Sequence, residues 1–164
     1  MTRKEGALAI IIALGSNRPH GRHGAPVAII MAAMTVMQTT GMNIVRCSRI
    51  DRTRPLGPSS REYANAVVAV RTAMNPEQLL RTLHSIEHQF GRKRQRRWGA
   101  RVLDLDLVAY HQEVRGGPDL YLPHPEMAVR RFVLAPMMEV APGWRHPILN
   151  LTVRQMYARL TARR

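Results

Sequence analysis

The stretch Gly91-Arg-Lys-Arg-Gln-Arg-Arg-Trp-Gly-Ala-Arg-Val-Leu-Asp-Leu-Asp-Leu-Val-Ala-Tyr110 joins two unlike halves. The first half is basic, carries one Trp, and is too polar and too broken by glycine to pack as core. The second alternates with period two from Val102, the pattern of a β-strand. Alternation sorts its side chains onto two faces. Leu103, Leu105 and Leu107 point one way, and Asp104, Asp106 and Val108 the other. Carboxylates at i and i+2 on one strand face lie roughly 7 Å apart along the backbone. At that spacing they can converge on one or two hard cations, which take oxygen ligands and commonly share them with substrate phosphates. A solvent-exposed strand face is the plain alternative. The adjoining arginines favour the first reading, because a metal site beside a cationic loop suits a polyphosphate.

Working outward, the chain has 164 residues, which predicts one domain over 1–164, with residues 1–6 as a loose tail. Apolar residues make up 45%, enough to build a core. Cys47 is the one cysteine, so neither an internal disulfide nor a thiolate metal cage can form, which fits a reducing, cytoplasmic compartment. A net charge of +14 calls for an anionic partner and leaves nucleic acid, membrane surface and nucleotide open. The apolar run at 7–14 follows a basic start, but it is short and lacks a small-x-small cleavage site. Neither secretion nor a membrane span is expected.

In chain order, residues 7–14 read as a central strand, ended by turn residues Gly15-Ser16-Asn17. A polar loop leads to a helix from Pro26, with Val27, Ile30, Met31, Met34 and Met37 on its stripe and Gly41 as its stop. Residues 43–52 form a second strand. Residues 62–72 form a third, with Tyr63, Asn65, Val67 and Ala69 on one face and Ala64, Ala66, Val68 and Val70 on the other. Asn75-Pro76-Glu77-Gln78 is a helix start with a capping box. That helix runs to about Phe90 and buries Leu79 or Leu80, Leu83, Ile86 and Phe90. Glu87 lies near the stripe, either on a solvated margin or paired with an arginine of the basic loop. Residues 112–118 read as a turn, 120–122 as a short strand, and 130–140 and 151–162 as helices. Strand, helix, strand, strand, helix, strand is the ferredoxin-like α+β pattern. It predicts a four-stranded antiparallel sheet with two helices on one face, appended C-terminal helices, and the other face free to carry a site.

The sequence has no Gly-x-x-x-x-Gly-Lys-[Ser/Thr] loop and no Gly-x-Gly-x-x-Gly after a strand, so a bound nucleotide would rely on metal and arginines. His84 and His88 stand at i, i+4, but no Glu follows His84 to make a zinc-protease motif. Six segments occur in order. They are Ala13-Leu14-Gly15-Ser16-Asn17, Thr53-Arg54-Pro55-Leu56-Gly57, Tyr63-Ala64-Asn65, Arg97-Trp98-Gly99-Ala100-Arg101-Val102-Leu103-Asp104-Leu105-Asp106, Pro123-His124-Pro125 and Arg130-Arg131-Phe132-Val133-Leu134-Ala135-Pro136. Together they resemble the 6-hydroxymethyl-7,8-dihydropterin pyrophosphokinases of folate biosynthesis, over roughly residues 7 to 160. The segment from Arg97 to Asp106 is the most specific of them.

The resemblance implies pyrophosphate transfer from ATP to the hydroxymethyl group of the pterin, with release of AMP. It implies two Mg²⁺ ions held by Asp104 and Asp106. Arg92, Arg101, His124 and Arg130 are then expected on the triphosphate, with Arg92 and Arg101 acting catalytically. The pterin is expected between Tyr63 and Phe132, read by Asn65 and the backbone around Thr53 to Leu56, with Trp98 folding over it. A monomer without a specific nucleic-acid partner is expected. The chain departs from the family's usual pattern at Arg54, Ala100, Val102 and Glu126, and none of these touches the aspartates. One rival is a basic RNA- or DNA-binding domain. An RNA-recognition sheet would carry aromatics on its central strands, and aromatics total only 5%. Another is a different metal-dependent nucleotidyl or phosphoryl transferase. The Tyr63/Asn65 pair and Pro123-His124-Pro125 favour the pterin reading.

Overall fold

The computed structural model describes residues 9–53, 63–91 and 101–162. Its main sheet contains β1 (Ile10–Ser16), β2 (Asn43–Cys47), β3 (Asp51–Thr53), β4 (Tyr63–Arg71) and β5 (Asp104–Tyr110). The strand order is β2-β4-β1-β5, with β3 also on β4 and every pairing antiparallel. Helices α1 (Pro26–Thr39) and α2 (Pro76–Gln89) supply the two crossovers. This is the expected ferredoxin-like arrangement. The helix start and stop signals act as the sequence predicts, but the buried stripe of α1 is shifted: Ile29 and Ala33 are buried and Met31 is 59% exposed. Gly41 takes φ +89° after α1, letting Met42 N–H bond back to Met37 O at 3.1 Å. At α2, Gln78 N donates to Asn75 Oδ1 at 2.8 Å and Asn75 N donates to Gln78 Oε1 at 3.0 Å, closing the capping box.

Two boundaries differ from expectation. The first strand does not end at Leu14, because Gly15 and Ser16 still pair with Asn65 and Ala64. The strand expected at 43–52 is two strands. Ser48 breaks it: its N–H donates to Val67 O at 2.9 Å, while its buried Oγ accepts from Val67 N at 3.0 Å. One residue thus occupies both hydrogen-bonding groups of Val67, and the chain bulges before β3 begins. In the segment expected as a turn, Arg115–Gly116 (β6) pairs with Tyr121–Leu122 (β7) as a small hairpin.

The sheet separates two cores. Ile10, Ile12, Leu14, Ala66, Val68, Leu105 and Leu107 face α1 and α2, meeting Ile29, Ile30, Met37, Leu79, Leu83 and Ile86. Ile11, Val67, Ala69, Val108 and Ala109 face the other way. There they meet α3 (Arg131–Val140) and α4 (Val153–Ala162) through Val133, Leu134, Met137, Val153 and Met156. The second sheet face is therefore not wholly free, as the sequence suggested. The C-terminal helices cover one end of it, giving three layers. They leave the end formed by the close of β1 and the starts of β4 and β5. The aspartate strand keeps its expected faces. A bulge, with Ile11 opposite Ala109 and Ile12 opposite Leu107, turns both Val108 and Ala109 onto the α3/α4 side. No helix among the described residues is long and apolar enough to cross a membrane.

Candidate active site

The uncovered end of the sheet is the floor of a cleft of about 710 Å³. Register decides what stands on that floor. Gly15 pairs with Asn65 on one side and Asp104 on the other, and Ala13 pairs with Val67 and Asp106. The central strand therefore offers only a hydrogen and a methyl between a carboxamide and two carboxylates. A Cβ on Gly15 would sit 3.5 Å from Asn65 Oδ1 and 4.0 Å from the Cβ of Asp104. The missing side chain is what opens the floor.

The walls come from the start of β4 and from residues between 101 and 132. The Pro123-His124-Pro125 turn hangs from β5 by the bond from His124 N to Val108 O, 2.8 Å. His124 Nδ1 accepts from Glu126 N at 3.2 Å, so Nε2 is the ring nitrogen not used by the turn. A single 3-10 turn, Met127–Val129, then delivers Arg130 to the start of α3. The guanidinium of Arg130 contacts the Glu126 carboxylate, lies 3.7 Å from Asp106 Oδ2, and stands over the Phe132 ring with Cζ 5.7 Å from the centroid. Tyr63 and Phe132 are 38% and 49% exposed and line the cleft, which distinguishes them from core aromatics.

Arg101 enters where the basic segment meets β5. Its backbone is gripped on both sides by Asn17: Asn17 N donates to Arg101 O at 3.1 Å, and Arg101 N donates to Asn17 Oδ1 at 2.7 Å. Its guanidinium bonds Asp104 Oδ1 at 2.6 Å. The Asp106 carboxyl is held above the usual carboxylate range, chiefly by burial and next by the charge of Asp104. His124, Arg130 and Arg101 pull the other way without cancelling the effect. Two neighbouring carboxylates of this kind suit a divalent cation, whose charge would offset both the burial and the mutual repulsion. Among the described residues no group of three or more His, Cys, Asp or Glu side chains is placed to hold a metal. Asp104 and Asp106 could hold such an ion only if substrate oxygens completed its shell.

Of the residues singled out in the sequence, the cleft brings together Tyr63, Asn65, Arg101, Asp104, Asp106, His124, Arg130 and Phe132. Thr53 ends β3 opposite Tyr63. Leu56, Arg92 and Trp98 lie outside the described residues. Asn17, Gly15 and Glu126 also line the cleft, with no role there expected from sequence. Asn17 carries a signal, since it closes the segment Ala13-Leu14-Gly15-Ser16-Asn17, but its grip on Arg101 spans 84 positions and is invisible to local pattern. The sequence pattern leaves Glu87 either at a solvated margin or on a loop arginine. It is 1% exposed, which rules out the solvated margin, and its Oε1 accepts from Leu105 N at 2.9 Å, directly between the two aspartates; the arginines of the basic loop lie outside the described residues.

The chain is similar to known proteins in sequence and in fold. A family model described as 7,8-dihydro-6-hydroxymethylpterin-pyrophosphokinase matches residues 11–142. A Synechocystis protein named 2-amino-4-hydroxy-6-hydroxymethyldihydropteridine pyrophosphokinase is 42% identical over 71% of this chain and 60% of its own length. A Methylorubrum extorquens protein of the same name is 38% identical over 91% of both. Among solved structures, the Plasmodium falciparum HPPK-DHPS with pteroate superposes with a TM-score of 0.76 over 94% of this chain and 44% of that one, at 14% identity, a likeness of fold. The chain thus spans less than two thirds of the Synechocystis relative and under half of the Plasmodium chain. From residue 11 to residue 142, with Asp104, Asp106, Asn65 and Arg101 gathered in one cleft, the chain belongs to the 7,8-dihydro-6-hydroxymethylpterin-pyrophosphokinase family.

Proposed function

We propose that the cleft transfers the β,γ-pyrophosphoryl group of ATP to the hydroxymethyl oxygen of 6-hydroxymethyl-7,8-dihydropterin, a step of folate biosynthesis. The pterin oxygen bonds the β-phosphorus, the bond from that phosphorus to the α-bridging oxygen breaks, AMP departs, and the hydroxyl proton is released. The observation that carries this reading is the row Asn65, Gly15, Asp104 across three paired strands. It sets a hydrogen-bonding carboxamide and a carboxylate on either side of a bare floor, where a flat ring can lie with its side arm towards the acids.

Asn65 reads the ring's polar edge, together with backbone around Thr53 to Leu56. Tyr63 and Phe132 supply apolar faces for the ring, and Trp98 covers it. Arg101, His124 and Arg130 bind phosphate oxygens, joined by Arg92. Arg101 and Arg92 have most to do when charge shifts towards the leaving oxygen. Asp104 and Asp106 would hold two magnesium ions. Magnesium, when bound, supplies charge neutralisation along the triphosphate. On this reading the chain works as one monomeric domain over 1–164, in the cytoplasm, on two small molecules and not on a nucleic acid. The test is product identity: ATP and Mg²⁺ should yield AMP and pterin pyrophosphate only when the hydroxymethyl pterin is added. Formation of ADP, or AMP release independent of the pterin, would overturn the assignment.

A further inference from the structure

Glu126 is an acid placed inside a site built for an anion. It lines the cleft beside Arg130, Asp106 and His124. Its backbone N–H donates to His124 Nδ1 at 3.2 Å, which ties its main chain to the turn that carries His124. The 3-10 turn Met127–Val129 places it four residues before Arg130, and the two side chains are in contact. Arg130 meets a second acid, Asp106, at 3.7 Å and rests on Phe132. Its guanidinium is thus engaged by carboxylates on two sides before any phosphate arrives.

We propose that Glu126 competes with the nucleotide's phosphates for Arg130 and so sets nucleotide affinity; this rests on the pyrophosphokinase reading of the same cleft. A guanidinium offers five N–H donors in one plane, and those turned towards a carboxylate are not aimed at a phosphate. Engagement of Arg130 by a triphosphate requires the Glu126 pair to open. The pair is partly exposed, with side-chain exposures of 28% for Arg130 and 58% for Glu126. A pair of that kind is weak and salt-sensitive. The contact therefore tunes affinity without blocking the site, and Glu126 is the residue that decides how much of the positive charge of Arg130 reaches the ligand.

The test is a double-mutant cycle read by titration calorimetry, using α,β-methylene-ATP with Mg²⁺ at low salt. Glu126→Gln keeps size and polarity and removes the charge. It should tighten binding about three- to fivefold in the wild-type background, the size expected for one exposed ion pair. In an Arg130→Ala background the same change should gain less than about twofold, since only through-space repulsion remains. Raising the salt should shrink the first effect. Equal tightening in both backgrounds would reduce Glu126 to a distant repulsive charge and overturn the proposal, as would unchanged or weaker binding by Glu126→Gln. Absence of binding by all four proteins would instead remove the pyrophosphokinase reading, and this inference with it.

Discussion

The buried carboxylate of Glu87 accepts the backbone N–H of Leu105 at 2.9 Å, from beneath the strand that carries Asp104 and Asp106. β5 closes one edge of the main sheet, so half of its backbone groups lie beyond the ladder. Glu87 takes one of them and fixes the peptide between the two acids. Glu87→Ala removes the acceptor and leaves a buried N–H behind, at a cost of about 1–3 kcal/mol. Glu87→Gln keeps a carbonyl oxygen in place and should cost less. Urea unfolding of the two variants separates them. Equal losses would mean that this hydrogen bond is not what Glu87 contributes.

Glu87 also marks the limit of what the sequence discloses. Period and punctuation suffice for β1, β4 and β5, for both crossover helices, and for the faces of β4 and of β5 up to its bulge, because each of those signals is local. Asp104, Asp106, Tyr63 and Asn65 were legible for the same reason: their strands alternate cleanly. The docking of α3 and α4 on the second sheet face was not. Val67 and Ala69 share a strand face with Asn65, and nothing local says that a helix covers two of them and spares the third. The split at Ser48 depends on one hydroxyl replacing a ladder partner. The grips of Glu87 on Leu105 and Asn17 on Arg101 join positions far apart in the chain, so only the folded register brings them together.

Asp106 offers a case where function and stability diverge. Burial and the neighbouring Asp104 hold its carboxyl above the ordinary 3.8. A carboxyl whose folded value is raised favours the protonated form. Its ionisation therefore weakens the fold as pH rises from the ordinary value through the folded one, and that loss persists at neutral pH. Asp106→Asn should raise the melting temperature of the metal-free protein at neutral pH while abolishing turnover. Adding Mg²⁺ should narrow the gap, because bound cation removes the repulsion in the wild type alone. A lower melting temperature for Asp106→Asn would show that its contact with Arg130 outweighs the charge penalty.

His146 points the other way. It is 6% exposed, and its Nδ1 accepts from Ile148 N and Leu149 N, both at 3.2 Å, so the turn after it needs that nitrogen unprotonated. Burial lowers its value from the ordinary 6.5. For a base with a lowered folded value, the unfolded chain binds the proton first. Stability is then level above the ordinary value and falls as pH drops below it, towards the folded value. The urea midpoint, followed from about pH 7.5 down to about pH 5.5 where histidines titrate, should decline in the wild type. In His146→Asn, which retains an acceptor and does not titrate, the decline should be smaller. Matching slopes would assign the acid sensitivity to other groups.

Arg101 brings the geometry and the proposed chemistry to one position. Its backbone is held on both sides by Asn17, and its guanidinium reaches Asp104 at 2.6 Å. It is thus anchored at the mouth of β5, three residues from the first aspartate. A planar guanidinium can meet two phosphate oxygens at once, which a lysine ammonium does not. Charge moves towards the leaving oxygen during transfer, so a fixed cation there acts mainly on the transition state. Arg101→Ala should lower kcat by roughly a hundredfold or more, the loss typical of one electrostatic donor, with a smaller change in the ATP dissociation constant. Arg101→Lys should recover only part of it. Asn17→Ala keeps the guanidinium but releases its anchor, and should reduce kcat by less than Arg101→Ala while leaving ATP affinity near wild type. Steady-state kinetics and nucleotide titration of the three variants decide the role. If Arg101→Ala weakened ATP binding and left kcat unchanged, Arg101 would be a ground-state binding residue, and the grip of Asn17 would serve affinity instead of rate.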